Sequence, residues 1–110
     1  MPRPSKRTLT AALAVLRRIE ERHADRSRWC QGGYQVGEAT CLVRARNLET
    51  RGEPSPVTRS VKDTIECARI LFPEHGLLSI NDDLGYDAVR AVERKAVELA
   101  EAMLTEREGK

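Results

Sequence analysis

One stretch, residues 28–45, constrains the fold of this chain more than any other part. It contains the only tryptophan, Trp29, together with two of the three cysteines and three of the seven glycines. Only four aromatic side chains occur in 110 residues, so the core must consist mostly of leucine, valine, isoleucine and alanine. Burying Trp29 removes more apolar surface from water than burying any other single side chain here. We therefore expect Trp29 to be largely buried against the first and last helices.

Apolar residues recur at helical spacing in three other parts of the chain. Thr8 or Thr10 is expected to cap the first of these helices. Pro73 is expected to stop the second, because proline cannot continue a helix. The predicted helices cover about residues 8–24, 57–72 and 86–106.

Residues 28–48 allow two interpretations. They form a short hairpin, with its turn at residues 36–38 or at the glycines of residues 32–33. Alternatively, they form a loop that leads into a helix capped by Thr40 and running to Leu48. The hydrophobic periodicity does not decide between them.

The chain is therefore predicted to be mainly α, or α+β with a minimal hairpin. Three main helices pack around the hairpin or loop insert in one small domain, residues 8–108, preceded by a flexible basic tail, residues 1–7. The core is predicted to contain Leu13, Leu16, Trp29, Cys41, Ile65, Ala68, Val92, Ala96 and Leu99.

Composition limits the location of the protein. Charged residues make up 33% of the chain, and no apolar run is long enough to cross a bilayer. The first seven residues lack the apolar core of a signal peptide. We expect a cytoplasmic protein with reduced cysteines and no membrane partner.

The charge is unevenly distributed along the chain. Residues 1–28 carry a net charge of +5 and residues 74–110 carry −4. The basic part could bind nucleic-acid phosphates, or the two ends could neutralise each other within one molecule or across a homodimer. Glu20, Glu21 and Asp25 interrupt the basic surface, which favours neutralisation. The candidate binding residues are Arg17, Arg18, Arg22, Arg26 and Arg28.

The cysteines do not have the spacing of a metal site. Structural zinc sites usually contain close pairs such as Cys-x-x-Cys. Here Cys30 and Cys41 are eleven residues apart, Cys67 lies within a predicted helix, and His23 and His75 are distant. Buried structural thiols are the better interpretation, with no metal and no cofactor.

A nucleophilic role for Cys30 would need a base and donors for an oxyanion. His23 or His75 could supply the base only if folding brought it close, and the N–H groups of Gly32 and Gly33 could supply the donors. His23 instead continues the apolar stripe of the first helix, so we expect it at the edge of the core.

Residues 81–83 concentrate polar side chains before the last helix. A calcium loop beginning at Asn81 would need glutamate at its twelfth position, where the chain has Val92. We therefore expect an asparagine or aspartate side chain of this segment (Asn81, Asp82 or Asp83) to cap the last helix.

Three short motifs resemble an uncharacterised domain-of-unknown-function family of small bacterial and phage proteins. They are Trp29-Cys30-Gln31-Gly32, Cys41-Leu42 and Ile80-Asn81-Asp82. The chain departs from the family where Leu-Val-Arg-Ala follows Cys41 in a segment that tends to contain a small Gly-Ala pair, and where Ile80 replaces the aromatic residue before Asn81. The resemblance implies a bacterial or phage accessory gene and no particular activity.

The sequence therefore favours a non-enzymatic accessory protein that binds another macromolecule, with a protein as the first choice of partner. The alternative is a nucleic-acid-binding module that uses the arginine cluster. A small thiol or metal-dependent enzyme is a distant third hypothesis.

Overall fold

The computed structural model describes residues 4–109. It is mainly α with a minimal two-stranded hairpin, which confirms the predicted fold class. Single 3₁₀ turns at Arg26–Arg28 and Arg69–Leu71 and a π-helical turn at Ile80–Leu84 join the main elements. These elements are α1 (Lys6–Arg22), β1 (Gln35–Val36), β2 (Ala39–Thr40), α2 (Leu42–Glu49), α3 (Ser55–Ala68), α4 (Leu77–Ser79) and α5 (Tyr86–Glu108).

The core lies where α1, α3 and α5 pack against one another, and α2 covers one end of α1. Seven of the nine predicted core residues are buried. Trp29 and Leu99 are half-buried and pack against the outside of the core. Burial of Trp29 is therefore less complete than its size predicts, and its ring centre lies 5.4 Å from that of Tyr86, the first residue of α5.

Both interpretations of residues 28–48 are correct in part. β1 and β2 pair antiparallel across a two-residue turn, in which Gly37 adopts a φ of +59°. Trp29 forms an isolated parallel bridge with Thr40. The chain then enters α2, which is capped by Cys41 and not by Thr40: the Cys41 Sγ accepts the N–H of Arg44 at 3.3 Å.

The helix ends differ from the sequence predictions in two places. Ser5 caps α1, because its Oγ accepts the N–H of Thr8 at 3.1 Å, so the predicted caps Thr8 and Thr10 are both wrong. Of the predicted tail, residues 1–3 lie outside the described residues, and Lys6 begins α1. The α-helical part of α3 ends at Ala68, before Pro73, because its last turn tightens into the 3₁₀ turn.

No helix within residues 4–109 is long and apolar enough to cross a membrane.

Candidate binding surfaces

The motif residues that carry the family resemblance meet in the structure, although about fifty residues separate them in sequence. The Asn81 Oδ1 accepts the indole N–H of Trp29 at 2.7 Å and the backbone N–H of Leu42 at 3.0 Å. The Asn81 Nδ2 donates to the carbonyl of Cys30 at 2.9 Å. One buried side chain thus fixes the Trp29 loop to the start of α2.

Asp82 completes the same contact. The Gln31 Nε2 donates to the Asp82 carbonyl at 2.5 Å, and the Gly32 N–H donates to Asp82 Oδ1 at 2.9 Å. Hydrogen bonds from Asn81 and Gly32 lower the pKa of Asp82, so the carboxylate is held ionised. Gly32 has a φ of +75°, a conformation that a side chain would strain.

The expectation that Asn81, Asp82 or Asp83 caps the last helix is therefore wrong. No side chain of the described residues caps α5, which begins after Gly85 with a φ of +93° and a ψ of −167°, a combination almost restricted to glycine. Asn81 supplies an acceptor for α2, a helix distant in sequence. The motif residues connect the loops, and their polar atoms form hydrogen bonds with other motif residues.

The thiols of Cys30 and Cys41 are also engaged within the fold. The Cys30 Sγ donates to the Gly33 carbonyl at 3.3 Å. Burial and the neighbouring Cys41 raise the pKa of Cys30, which disfavours the thiolate that a nucleophile requires. The N–H of Gly32, which the thiol hypothesis assigned to an oxyanion, is donated to Asp82.

His23 forms a buried polar pair that the sequence analysis did not anticipate. His23 is completely buried, not at the edge of the core, and its Nδ1 lies 2.5 Å from the Oε2 of Glu93. The Nε2 lies 3.0 Å from both the carbonyl oxygen and the hydroxyl oxygen of Thr40. Both ring nitrogens of His23 therefore have hydrogen-bond partners inside the fold.

Burial raises the pKa of Glu93, and hydrogen bonds from His23 and Arg90 offset part of that effect. The hydroxyl of Tyr86, the first residue of α5, donates a hydrogen bond to the backbone carbonyl of His23 at 2.5 Å. The signal in the sequence was Glu93 itself, a charged residue beside Val92 on the core-facing side of α5. Because a buried carboxylate needs a hydrogen-bond partner, a polar side chain from another element was to be expected next to Glu93.

Three arginines of α1 form ion pairs with carboxylates of the same chain. Arg17 pairs with Glu101 of α5 at 3.0 Å. Arg18 and Arg22 both bind Glu49 of α2, at 3.1 and 2.7 Å. Burial alone would raise the pKa of Glu49, but the two guanidinium groups outweigh it and lower the pKa.

Arg26 and Arg28 lie beyond α1, in the 3₁₀ turn. The guanidinium of Arg26 is 5.0 Å from the ring centre of Tyr86, a cation–π contact. Hydrogen bonds from Ser27 and the nearby charge of Arg28 lower the pKa of Asp25. The structure therefore divides the five candidate arginines between two regions: three pair with carboxylates of α2 and α5, and two lie in the 3₁₀ turn near Tyr86 and Asp25.

A large apolar concavity lies elsewhere, between α3 and α5. We name it the α3/α5 groove; its volume is about 330 Å³. Its α5 wall contains Leu99, Ala102 and Met103, and its α3 wall contains Thr64 and Cys67. The Thr64 hydroxyl donates to the Ser60 carbonyl at 2.6 Å, so this wall has no unsatisfied hydroxyl.

Of the described residues, two charged ones line the α3/α5 groove, and both are acidic: Asp63 and Glu106. Among residues 4–109, no group forms a hydrogen bond or ion pair with the Asp63 carboxylate. In the sequence, only the apolar residues that recur at helical spacing along α3 and α5 indicate this face.

Within the same residues, no three histidine, cysteine or carboxylate side chains lie together as a metal site would require. Comparison of the chain with protein-family models, with curated proteins and with solved structures finds no match. The resemblance to the bacterial and phage family therefore stays an expectation from three motifs.

Proposed function

We propose that this is a non-enzymatic accessory protein, of bacterial or phage origin and cytoplasmic, that acts by binding another protein through the α3/α5 groove. The observation that carries the proposal is the groove itself, a concave apolar surface with an acidic rim. Exposed apolar patches bordered by polar residues are typical of protein-binding sites.

The charge distribution supports a protein partner over a nucleic acid. Arg17, Arg18 and Arg22 already contact Glu101 and Glu49. A phosphate backbone would have to displace these carboxylates, and the surface that it would meet is mixed in sign. Nucleic-acid surfaces are instead dominated by unpaired basic groups.

The test is affinity capture from the native host, with wild-type protein and Ala102→Arg as baits and quantitative mass spectrometry as the readout. Ala102 is exposed and lies in the groove, so arginine fills the groove without disturbing the core. Glu98→Arg, at an exposed position one turn earlier on α5, is the matched control. We expect a protein that wild type and Glu98→Arg capture and that Ala102→Arg does not.

Nucleic-acid binding is tested separately by fluorescence anisotropy with a labelled oligonucleotide at two salt concentrations. We expect negligible binding at physiological salt. Binding that falls steeply with salt and is abolished by Arg17→Ala with Arg18→Ala would instead support the nucleic-acid alternative.

A further inference from the structure

The α3/α5 groove has the length of two helical turns. Its α3 wall runs from Ser60 to Cys67 and its α5 wall from Leu99 to Glu106. Each wall therefore spans seven residue steps, or about 10 Å at the rise of an α-helix. The apolar anchors of an amphipathic helix, at positions i, i+3 or i+4 and i+7, span the same distance.

The walls also match an apolar anchor chemically. Thr64 turns its hydroxyl toward the Ser60 carbonyl, and Leu99 and Met103 are half-buried with part of their side chains exposed in the groove. No buried side-chain polar atom within residues 4–109 lacks a hydrogen-bond partner. Burying apolar side chains in this groove therefore contributes favourable binding free energy, and no group in the described walls requires a polar ligand.

The rim indicates the charge of the partner. Asp63 is exposed at the mouth of the groove and has no counter-ion among residues 4–109, whereas Glu66, three residues later, is paired with Arg69 at 2.6 Å. No basic side chain of that part of the chain lines the groove. A lysine or arginine on the partner would supply the missing charge, and a carboxylate there would be repelled.

We propose that the α3/α5 groove binds a basic amphipathic helix of the partner protein, with apolar side chains one turn apart in the groove and a lysine or arginine beside Asp63. This inference rests on the proposed function and narrows the class of partner.

The probe is a fluorescein-labelled peptide of about 15 residues, long enough for four helical turns. Its leucines are spaced three and four residues apart on one face, lysines flank them, and alanine and glutamine fill the other positions. One control peptide has the same composition with the leucines distributed around the helix, and a second replaces every lysine with glutamate. Anisotropy measures binding to the full-length protein, and circular dichroism confirms that each variant is folded.

We expect the basic peptide to bind with a Kd below about 100 μM, and both control peptides to bind at least about tenfold more weakly. Ala102→Arg should weaken binding at least about tenfold, because it fills the groove. Asp63→Lys should weaken it about threefold or more, and less at high salt, because a rim charge is screened. Glu98→Arg and Glu74→Lys, at exposed positions outside the groove, should leave the affinity unchanged.

Three results would overturn the inference. Absence of binding would exclude a helix of this class, and binding that Ala102→Arg leaves unchanged would place the peptide elsewhere. A dimer in sedimentation equilibrium that Ala102→Arg dissociates would show that a second copy of this chain occupies the groove.

The inference and the proposed function fail separately. If the glutamate peptide binds as tightly as the lysine peptide and Ala102→Arg weakens both, the basic class is wrong and the groove remains a protein-binding site. If no peptide binds and Ala102→Arg captures the same host proteins as wild type, both proposals fall.

Discussion

Asn81 offers the sharpest test of how this fold is held together. Its amide makes four hydrogen bonds, two accepted by Oδ1 from Trp29 and Leu42 and two donated by Nδ2 to Cys30 and Asp82. These use the four hydrogen-bonding capacities of an asparagine side chain. Asn81→Leu keeps nearly the same volume and removes all four bonds.

The cost of Asn81→Leu follows from the groups that it leaves unpaired. Leu42 is completely buried, so its N–H cannot turn to water, and the indole N–H of Trp29 is only half-buried. A buried polar group without a partner costs about 1–3 kcal/mol, so these two donors together cost about 2–5 kcal/mol. Because domains of this size are stable by about 5–15 kcal/mol, the variant should fold with clearly reduced stability.

The assay is urea unfolding followed by circular dichroism at 222 nm, with the free energy of unfolding taken by linear extrapolation. Asn47→Leu is the matched control: the Asn47 amide bonds the exposed Tyr34 hydroxyl and the neighbouring Arg46 guanidinium, neither of them completely buried, so its loss should cost less than about 1 kcal/mol. A loss below about 1 kcal/mol for Asn81→Leu would refute the reasoning.

A double-mutant cycle isolates the bond between the two motifs. Trp29→Phe removes the indole N–H while keeping most of the ring, so combining it with Asn81→Leu leaves no orphaned indole donor. The costs of Trp29→Phe and Asn81→Leu should therefore not add, with a coupling of about 1 kcal/mol. Additive costs would mean that the bond from Trp29 to Asn81 contributes nothing to stability.

Three further predictions concern the buried pair and the thiols. Burial raises the pKa of Glu93 in the folded protein, so its protonation stabilises the fold. This contribution to the free energy of unfolding is complete below the pKa of an unfolded glutamate, about 4.3, and is lost as the pH rises through the folded pKa. Urea unfolding at several pH values should show this loss in the wild type and not in Glu93→Gln. A thiol reagent should modify exposed Cys67 first, Cys30 more slowly and buried Cys41 last, as peptide mapping will show. Elemental analysis should find no stoichiometric zinc, and helicity should persist in chelator.

The main helices were predictable because their signal is local. α1, α3 and α5 each place apolar residues at three- and four-residue steps, and six of the seven core residues predicted on these helices are buried as a result. The helix caps depend on single hydrogen bonds and were predicted less well. Ser5 and Thr8 both suit a cap, and only the path of the chain decides between them.

The loops depend on contacts that a local pattern cannot contain. Asn81 was predicted to cap the helix that follows it, but its Oδ1 accepts the N–H of Leu42, the first residue of α2, thirty-nine residues earlier in the chain. The pairing of His23 with Glu93 spans seventy residues in the same way. In each case the sequence contains a polar residue at a buried position, and only the fold shows which partner satisfies it.

The polar residues that attract attention in the sequence are largely occupied by folding. A domain with four aromatic residues has little apolar surface with which to fix its loops, so Asn81, Asp82 and Gln31 fix them with hydrogen bonds. Arg18 and Arg22 fix α2 to α1 through Glu49 in the same way. Groups already engaged in this manner have little capacity left for a ligand. The surface that we propose for binding is instead the outer face of α3 and α5, where ordinary helical side chains enclose a groove that nothing in residues 4–109 fills.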